Sequence, residues 1–149
     1  YADCIPVLLY DPVKKAIAAV HSGWRGTSLG IAPQAVQKLA ARYGSDPRDI
    51  LVAIGPGIGP CCFETHDDVP TAMAERLDEG VQPFCQPLPN GKFSVDLKGI
   101  LRWELTQAGV PDENIDTLPL CTACHPELYW SHRKMGDRRG NHAAMIQLL

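Results

Sequence analysis

A short segment near the start of the chain carries an imidazole, an indole and a guanidinium, which are side chains that could form a site. The segment His21–Gly26 reads His-Ser-Gly-Trp-Arg-Gly and follows the apolar run Ala16–Val20. An imidazole can bind a metal ion or move a proton, and a guanidinium binds phosphate or carboxylate in a fixed fork. Loops on a rigid α/β scaffold are where such groups form sites, so the segment is predicted to be a turn that carries one. The alternative is a Trp at the edge of the core, with His and Arg solvated around it.

A cysteine lies where a predicted hairpin would bring it close to this segment. The apolar runs Ile5–Tyr10 and Ala16–His21 flank a turn, and as antiparallel strands they would hold Cys4 and His21 at one open end. A thiolate and an imidazole form either a nucleophile–base pair or two zinc ligands, with Sγ and a ring nitrogen about 3–4 Å apart. Asp3 could orient either group. A third ligand would come from a preceding segment or from His66, His125, His132 or His142.

A second group of thiols lies at residues 121–125, which read Cys-Thr-Ala-Cys-His. The pattern is that of covalent haem attachment and also of half a zinc knuckle. Haem attachment needs an apolar pocket with a second axial ligand, and nothing else in the sequence supports either. A knuckle needs a second cysteine pair, and the adjacent Cys61 and Cys62 have the wrong spacing. The segment is therefore predicted to be a turn before a helix, with neither haem nor zinc at Cys121 and Cys124.

Two further segments could bind an anion. The loop Gly55–Glu64 holds three glycines whose N–H groups could cradle one, although a tight crossover explains it equally and it lacks the Lys-Ser/Thr pair of a P-loop. Basic side chains cluster at Ser131–Lys134 and at Arg138–Arg139, where they could hold a phosphate or form a solvated loop. Arg25 would strengthen an anion site only if these loops meet at one end of the sheet.

The composition is that of an ordinary globular domain. The chain has 149 residues, of which 45% are hydrophobic and 21% charged, and its net charge is -3. The charge offers no basic footprint for nucleic acid or a membrane surface, and no apolar run is long enough to span a bilayer. Without a signal peptide, a cytoplasmic location and free or metal-binding cysteines are expected. Because the chain begins with Tyr1, it is expected to be a fragment or to lack its N-terminal part.

Periodicity and capping residues predict a single domain of helices and strands, without an internal repeat or a linker. One helix is expected from residue 27 or 28 to residue 43, ended by Gly44, and the strand before it is apolar enough to be buried on both faces. Asp67 and Asp68 are expected to cap a helix that runs through about residue 77, and Asp96 is expected to cap a helix that stops at Gly109 and Pro111. Residues 126–130 are expected to form a helical turn and 131–141 a basic loop. Strands are expected at 49–54, 93–95, 114–118 and 143–149.

These motifs, in this order, resemble the YfiH family, whose members are described as purine nucleoside phosphorylases and as laccase-like polyphenol oxidases. The resemblance covers essentially the whole chain, and the combination of Ala-Asp-Cys with His-x-Gly-Trp-Arg-Gly is specific. The matching stretches are 2–8, 21–27, 55–64, 121–122 and 129–133. Two departures are local. Residues 131–134 read Ser-His-Arg-Lys where the family has Ser-Tyr-Arg-Arg, and Asn141 stands where the family has a late Arg.

The resemblance implies a layered α/β/β/α fold with mixed sheets, like that of YfiH-type cysteine hydrolases, of which this chain would be the C-terminal part. It implies zinc held by Cys4, His21 and a second His, which lies upstream of these motifs in the family and has no counterpart here. The implied reaction is phosphorolysis of adenosine, inosine or methylthioadenosine, with adenosine deamination as a second activity. Catalysis would involve Cys4, His21 and Arg25. The substrate contacts would be Asp3, Arg25, Gly55, Gly57, Gly59, Ser131 and Arg133.

Three alternatives remain open from the residues. Copper-dependent oxidation of polyphenols is one, although copper oxidases use clustered histidines and the five in this chain are scattered. A second is a binding or scaffold domain that keeps the fold with an incomplete metal site. A third is a thiol hydrolase that uses Cys4 and His21 without a metal. The partners expected for the phosphorylase interpretation are small molecules, a purine nucleoside and phosphate, with no nucleic acid and no membrane.

Overall fold

The first two strands form the hairpin that the sequence predicts. In the computed structural model, which describes all 149 residues, strand β1 spans Ile5–Asp11 and strand β2 spans Ala16–Ser22. The two strands are antiparallel, and the first residue of β1 pairs with the last residue of β2. Asp11 closes the turn, because its Oδ1 accepts the N–H groups of Val13 and Lys14 at 2.8 and 2.9 Å.

Five more strands and five helices follow along the chain. The strands are β3 (Leu51–Ile54), β4 (Glu64–Thr65), β5 (Cys85–Pro87), β6 (Phe93–Val95) and β7 (Ile115–Thr117). The helices are α1 (Trp24–Ser28), α2 (Ile31–Tyr43), α3 (Asp68–Leu77), α4 (Leu97–Gln107) and α5 (His132–Met135). Short 3₁₀ turns occupy Pro47–Asp49, Asp78–Phe84, Asp112–Asn114 and Gly136–Arg138. None of the helices combines the length and the apolar character that crossing a membrane requires.

The strands form two sheets, so the predicted mixed α/β fold is confirmed. The larger sheet has the order β2-β1-β3-β7, in which β1 is antiparallel to both of its neighbours and β7 is parallel to β3. The smaller sheet has the order β4-β6-β5 and is antiparallel throughout. Since the parallel step joins β3 to β7, the intervening chain, including α3, the small sheet and α4, forms a long crossover.

Helices cover one face of the larger sheet. Helix α2 packs against β2 and α4, and α4 also packs against β3 and β7. In β3 the side chains of Val52 and Ile54 are buried, while Leu51 and Ala53 on the opposite face are exposed. The prediction that the second strand is buried on both faces is wrong, because β2 is the edge strand and its His21 is exposed.

The single helix predicted from residue 27 or 28 to residue 43 is split in two. Gly30 lies between α1 and α2 with φ 68°, a left-handed conformation that a right-handed helix cannot contain. Neither helix has a side-chain N-cap, so the predicted capping role of Thr27 or Ser28 is wrong. Helix α2 ends at Gly44, also left-handed, as the sequence predicts.

The C-terminal third differs most from the sequence-based prediction. Residues 143–149 form no strand, so the predicted closing strand is wrong, and the preceding His142 N–H instead bonds the Tyr1 carbonyl at 2.9 Å. The predicted basic loop contains helix α5, which Ser131 caps by accepting the N–H of Lys134 at 3.1 Å. Helix α4 begins as predicted, since Asp96 accepts the N–H of Gly99.

Candidate functional site

A cavity of about 310 Å³ opens where the start of β1, the start of α1 and helix α5 meet. Its polar groups converge from distant parts of the chain, and its walls include two aromatic rings. The lining residues are Ala2, Asp3, Cys4, Gly23, Trp24, Ile58, Phe63, Leu97, His132, Arg133 and Arg139. A larger cavity of about 800 Å³ lies between β2 and α2, but most of its lining is apolar. We place the candidate site in the smaller cavity because convergent titratable groups mark a binding site better than size alone.

Asp3 ties together three segments around this cavity. Its Oδ1 accepts the hydroxyl proton of Thr122 at 2.7 Å, and its Oδ2 accepts the N–H of Arg133 at 2.7 Å. Its carbonyl oxygen also accepts the N–H of Ile58 at 2.9 Å. The residue adopts φ 75°, which is uncommon for a residue with a side chain. The hydrogen bonds at both ends of the residue hold it in this conformation, and they fix the position of the neighbouring Cys4.

Cys4 lies against the backbone of the His21–Gly26 segment. A Cβ built on Gly23 would come within 2.9 Å of the Cys4 Sγ, so a larger residue at position 23 would collide with the thiol. Burial raises the pKa of Cys4, and the negative charge of Asp3 raises it further. In the absence of a cation, the Cys4 thiol is therefore protonated near neutral pH.

His21 lies at the same end of the hairpin as Cys4. The register places His21 opposite Pro6, so Cys4 and His21 are diagonal neighbours across the two strands. His21 lines a separate cavity of about 320 Å³ that also contains Tyr1 and His142. A thiol and an imidazole at one hairpin end suit zinc by donor type. The approach of Sγ to the ring nitrogen, and the roles of both residues, stay predictions.

Arg25 lies apart from the other predicted cations. Its guanidinium carbon is 4.3 Å from the centroid of the Trp24 ring, a cation–π contact on the exposed side of α1. It does not line the cavity of Asp3 and Cys4, whereas Arg133 does. Arg25 and Arg133 thus do not line the same cavity, and a phosphate-binding role for Arg25 stays a prediction.

The loop glycines and Ser131 have structural partners. The Gly55 N–H donates to the Pro6 carbonyl at 2.9 Å, and the Gly59 N–H donates to the Cys121 Sγ at 3.2 Å. Gly57 forms an isolated parallel bridge with Cys121 and packs on Ile5. Ser131 is buried and caps α5. Substrate contacts by these four residues stay predictions, and Ser131 and the N–H groups of Gly55 and Gly59 already serve the fold.

Helix α5 and the turn after it supply the cationic side of the cavity. One Arg133 Nη donates to the carbonyl of Cys62 at 2.8 Å and to that of Glu64 at 3.0 Å. The Arg139 Nε donates to the His132 Nδ1 at 3.2 Å, so the neutral His132 ring carries its proton on Nε2. The sequence predicts a basic segment that contains His132, Arg133 and Arg139, but the contacts of these side chains depend on how α5 packs against Asp3.

Four cysteines from two loops form a cluster beside this site. The sulfurs of Cys61, Cys62, Cys121 and Cys124 all lie within 4.8 Å of one another, an arrangement that could hold a metal ion. The Cys124 Sγ is 3.5 Å from that of Cys61 and 3.4 Å from that of Cys62. The structure thus brings Cys61 and Cys62 to Cys121 and Cys124 although their sequence spacing is not that of a zinc knuckle, and the absence of haem and zinc at Cys121 and Cys124 stays a prediction. The bridge between Gly57 and Cys121 supplies the proximity that sequence spacing cannot express.

Three thiols of the cluster differ in how readily they ionise, because Cys121 has a lowered pKa and Cys61 and Cys62 have raised ones. Burial opposes ionisation of Cys121, but N–H groups around its sulfur, that of Gly59 first, outweigh burial and lower its pKa to about 7. Burial and the neighbouring Cys124 thiol raise the pKa of Cys61 to about 11. Burial likewise raises the pKa of Cys62. Without a cation, Cys61 and Cys62 therefore stay protonated near neutral pH.

Comparison with known proteins assigns the chain to a family. The family described as multi-copper polyphenol oxidoreductase laccase matches residues 1–149. The chain is 39% identical to the purine nucleoside phosphorylase LACC1 of Mus musculus over 99% of this chain and 34% of that protein. It is 38% identical to the purine nucleoside phosphorylase YlmD of Geobacillus stearothermophilus over 98% of this chain and 53% of that protein.

The fold matches a solved structure equally well. The crystal structure of the Bacillus licheniformis hypothetical protein YfiH superposes with a TM-score of 0.87 at 38% identity, covering 90% of this chain and 50% of that chain. The chain thus spans between about a third and about half of the length of the relatives that it matches. Sequence, fold and the motifs around Cys4 and His21 agree, and the chain belongs to the YfiH family, described as multi-copper polyphenol oxidoreductase laccases.

Proposed function

We propose that this protein is a purine nucleoside phosphorylase. The observation that carries the proposal is the cavity at Cys4, in which two guanidinium groups and an imidazole converge beside the indole of Trp24 and the ring of Phe63. These two kinds of side chain suit the two substrates. Phosphate requires cationic donors, and the purine base of a nucleoside requires a flat apolar surface. The names of the relatives in mouse and Geobacillus stearothermophilus support the same reaction.

The phosphate would bind on the side of the cavity formed by α5. Arg133 and Arg139 supply charge-assisted donors, which bind a phosphate oxygen more strongly than neutral groups do. In phosphorolysis a phosphate oxygen bonds to C1′ of the ribose while the bond from C1′ to N9 of the purine breaks. The base leaves with the electron pair and takes up a proton. The Nε2–H of His132, whose tautomer Arg139 sets, supplies a donor for the departing base.

Cys4 and His21 would hold zinc together with a third ligand that comes from a segment upstream of these 149 residues. Zinc accepts thiolate and imidazole ligands, and its charge would favour ionisation of a Cys4 thiol that burial otherwise keeps protonated. Bound there, the ion would supply positive charge to the reacting centre. Because Cys4 and His21 provide only two ligands, we expect the 149-residue chain alone to be nearly inactive.

The test is phosphate-dependent release of free base from inosine, followed by chromatography. It uses the complete product of the gene that encodes this chain. Cys4→Ala and His21→Ala should abolish release. Arg133→Ala should raise the KM for phosphate about 10- to 100-fold, because a hydrogen bond to a charged group is lost. Arg138→Ala is the matched control, since Arg138 does not line the cavity.

Two outcomes would contradict the proposal. One is a wild-type protein that releases no base from inosine, adenosine or methylthioadenosine when phosphate is present. The other is a Cys4→Ala variant that keeps the full rate. Conversion of adenosine to inosine in the same chromatograms measures the deaminase activity that the sequence predicts.

Copper-dependent oxidation of phenols is a second candidate, favoured by the description of the family. The five histidines offer little support for it, because in the structure the sole group of three or more ligating side chains is the four-cysteine cluster. Oxygen uptake with a phenolic substrate, measured with copper and with zinc at equal concentrations, separates this candidate from phosphorolysis.

A further inference from the structure

We propose that Cys61, Cys62, Cys121 and Cys124 bind one zinc ion, at a site separate from Cys4 and His21. The proposal does not depend on the reaction that the protein catalyses. It assigns a function to thiols that the cavity does not use, because none of the four lines it.

The first argument is the spacing of the sulfurs. In a tetrahedral site with zinc–sulfur bonds of about 2.3 Å, the sulfurs lie about 3.8 Å apart. The Cys124 Sγ lies 3.5 Å from the Cys61 Sγ and 3.4 Å from the Cys62 Sγ, and all six pairs are within 4.8 Å. Small adjustments would bring the four sulfurs to tetrahedral positions, and sulfurs this close enclose a single ion rather than a cluster of several.

The second argument is that the backbone holds the two loops in place. The Thr122 N–H donates to the Gly57 carbonyl at 3.1 Å, and the Gly59 N–H donates to the Cys121 Sγ at 3.2 Å. A Cβ on Gly59 would lie 3.2 Å from the Cβ of Cys121 and 3.4 Å from the Sγ of Cys61, so glycine lets the loops approach. An N–H group that donates to a ligand atom is the kind of outer contact that orients ligands in metal sites.

The third argument concerns charge and access. Four thiolates around Zn²⁺ carry a net charge of about −2. The Lys98 ammonium is buried and donates to the carbonyls of Leu118 and Leu120 at 2.8 and 2.7 Å, and it interacts electrostatically with Cys121. A buried cation thus lies near Cys121, where its positive charge favours an anionic cluster. Cys61 and Cys124 are exposed, which leaves the ion a route of entry.

The chemistry of the donors selects the metal. Tetrahedral coordination by four sulfurs is typical of zinc or of iron–sulfur centres, whereas magnesium, calcium and manganese prefer oxygen ligands. Between the first two, room for a single ion favours zinc over a cluster of several irons. Closed four-sulfur sites are structural, since no coordination position is left open for a substrate.

The ion would stabilise the neighbouring site through two contacts. Thr122, next to Cys121, donates to the Asp3 carboxylate, and Arg133 donates to the Cys62 carbonyl. Loss of zinc should therefore loosen the segment that contains Arg133 and Lys134. Limited proteolysis with trypsin, which cleaves after Lys and Arg, should cut this segment faster once a chelator has removed the ion.

The test counts metal in the complete gene product, purified with thiols kept reduced. We compare the wild type with the double variant Cys61→Ser/Cys124→Ser, in which both substituted side chains are exposed and the core is unchanged. Cys85→Ser is the matched control, because Cys85 lies outside the cluster. Mass spectrometry of the elements should show one zinc per chain fewer in the double variant than in the wild type, and no loss in the control.

A cobalt titration keeps the test decisive if a variant folds poorly. Metal-free wild-type protein titrated with cobalt(II) should develop the intense visible bands of tetrahedral thiolate coordination. These bands should persist in Cys4→Ser, which removes a ligand from the other candidate site, and should be absent from the double variant. Equal zinc content in the wild type and the double variant, or no cobalt bands in the wild type, would overturn the proposal. Copper or iron at the cluster, or a disulfide to Cys124 in protein blocked at lysis, would also overturn it.

Discussion

At the scale of single residues, Asp3 is the group on which the candidate site most depends. Its carboxylate is shared between Thr122 and Arg133, so the segments at the two ends of the chain meet on one side chain. The contact also sets the direction of Cys4. Removing one of these hydrogen-bond partners should lower the stability of the folded state, because the Asp3 carboxylate would stay desolvated with one hydrogen bond fewer.

We predict that Thr122→Val destabilises the protein by about 1–3 kcal/mol, since valine keeps the shape and removes the hydroxyl that Asp3 accepts. Urea unfolding followed by fluorescence measures the change. Thr71→Val, at an exposed position of helix α3, is the control and should change the free energy of unfolding by less than about 0.5 kcal/mol. An equally small effect at Thr122 would show that the Asp3 contact does not stabilise the site.

At the scale of elements, the hairpin is the part that positions Cys4 and His21, and its turn depends on Asp11. This side chain is fully buried at the end of β1 and accepts two N–H groups of the turn. Burial works against ionisation, but the neighbouring Ser45 hydroxyl and the turn N–H groups outweigh it and lower the pKa of Asp11. The folded state therefore favours the charged form.

The sign of the pH dependence follows from that lowered pKa. The contribution of Asp11 to stability is fully present above its unfolded pKa of about 3.9 and is lost as the pH falls through the lower folded value. We predict that Asp11→Asn is less stable than the wild type at pH 7, and that the gap narrows as the pH falls below about 4. Thermal unfolding between pH 3 and 7 measures it, and a gap that stays constant or widens in acid would contradict the prediction.

At the scale of the whole molecule, the cavity exists only when distant segments are folded together. Asp3, Trp24, Phe63 and Arg133 come from four parts of the chain, so the unfolded protein has no comparable site. A ligand that binds only the native state stabilises it in proportion to the logarithm of its concentration. Phosphate binding, if the proposed function holds, is therefore measurable as protein stability without any turnover.

We predict that phosphate at ten times its Kd stabilises the protein by about 1.4 kcal/mol. For a chain of this length the corresponding rise in Tm is about 3–6 °C. Sodium chloride at matched ionic strength controls for screening. Arg133→Ala should lose the shift and Arg138→Ala should keep it. A shift of equal size in both variants would place the anion elsewhere on the surface.

Local sequence determined much of this protein. The apolar runs around the turn at residues 11–15 predicted the hairpin, and its register confirms that Cys4 and His21 share one end. Asp96 and Gly44 predicted a helix start and a helix end because each acts on backbone groups within one turn of itself. The motif around Trp24 identified the family, which the comparisons confirm. All of these features depend on residues close together in sequence, where spacing alone determines the contacts.

Only the tertiary structure decided which distant groups meet. Cys62 and Cys124 are 62 positions apart, yet their sulfurs approach to 3.4 Å because two loops pair backbone to backbone. The sequence predicts both Arg25 and Arg133 as anion-binding residues. In the structure Arg25 stacks on Trp24 and does not line the cavity, whereas Arg133 does. The apolar residues 143–149 suit a strand and form none, because no strand of either sheet pairs with them. Residue type and periodicity determine what a segment prefers, whereas the packing of the remaining chain determines whether a partner lies beside it.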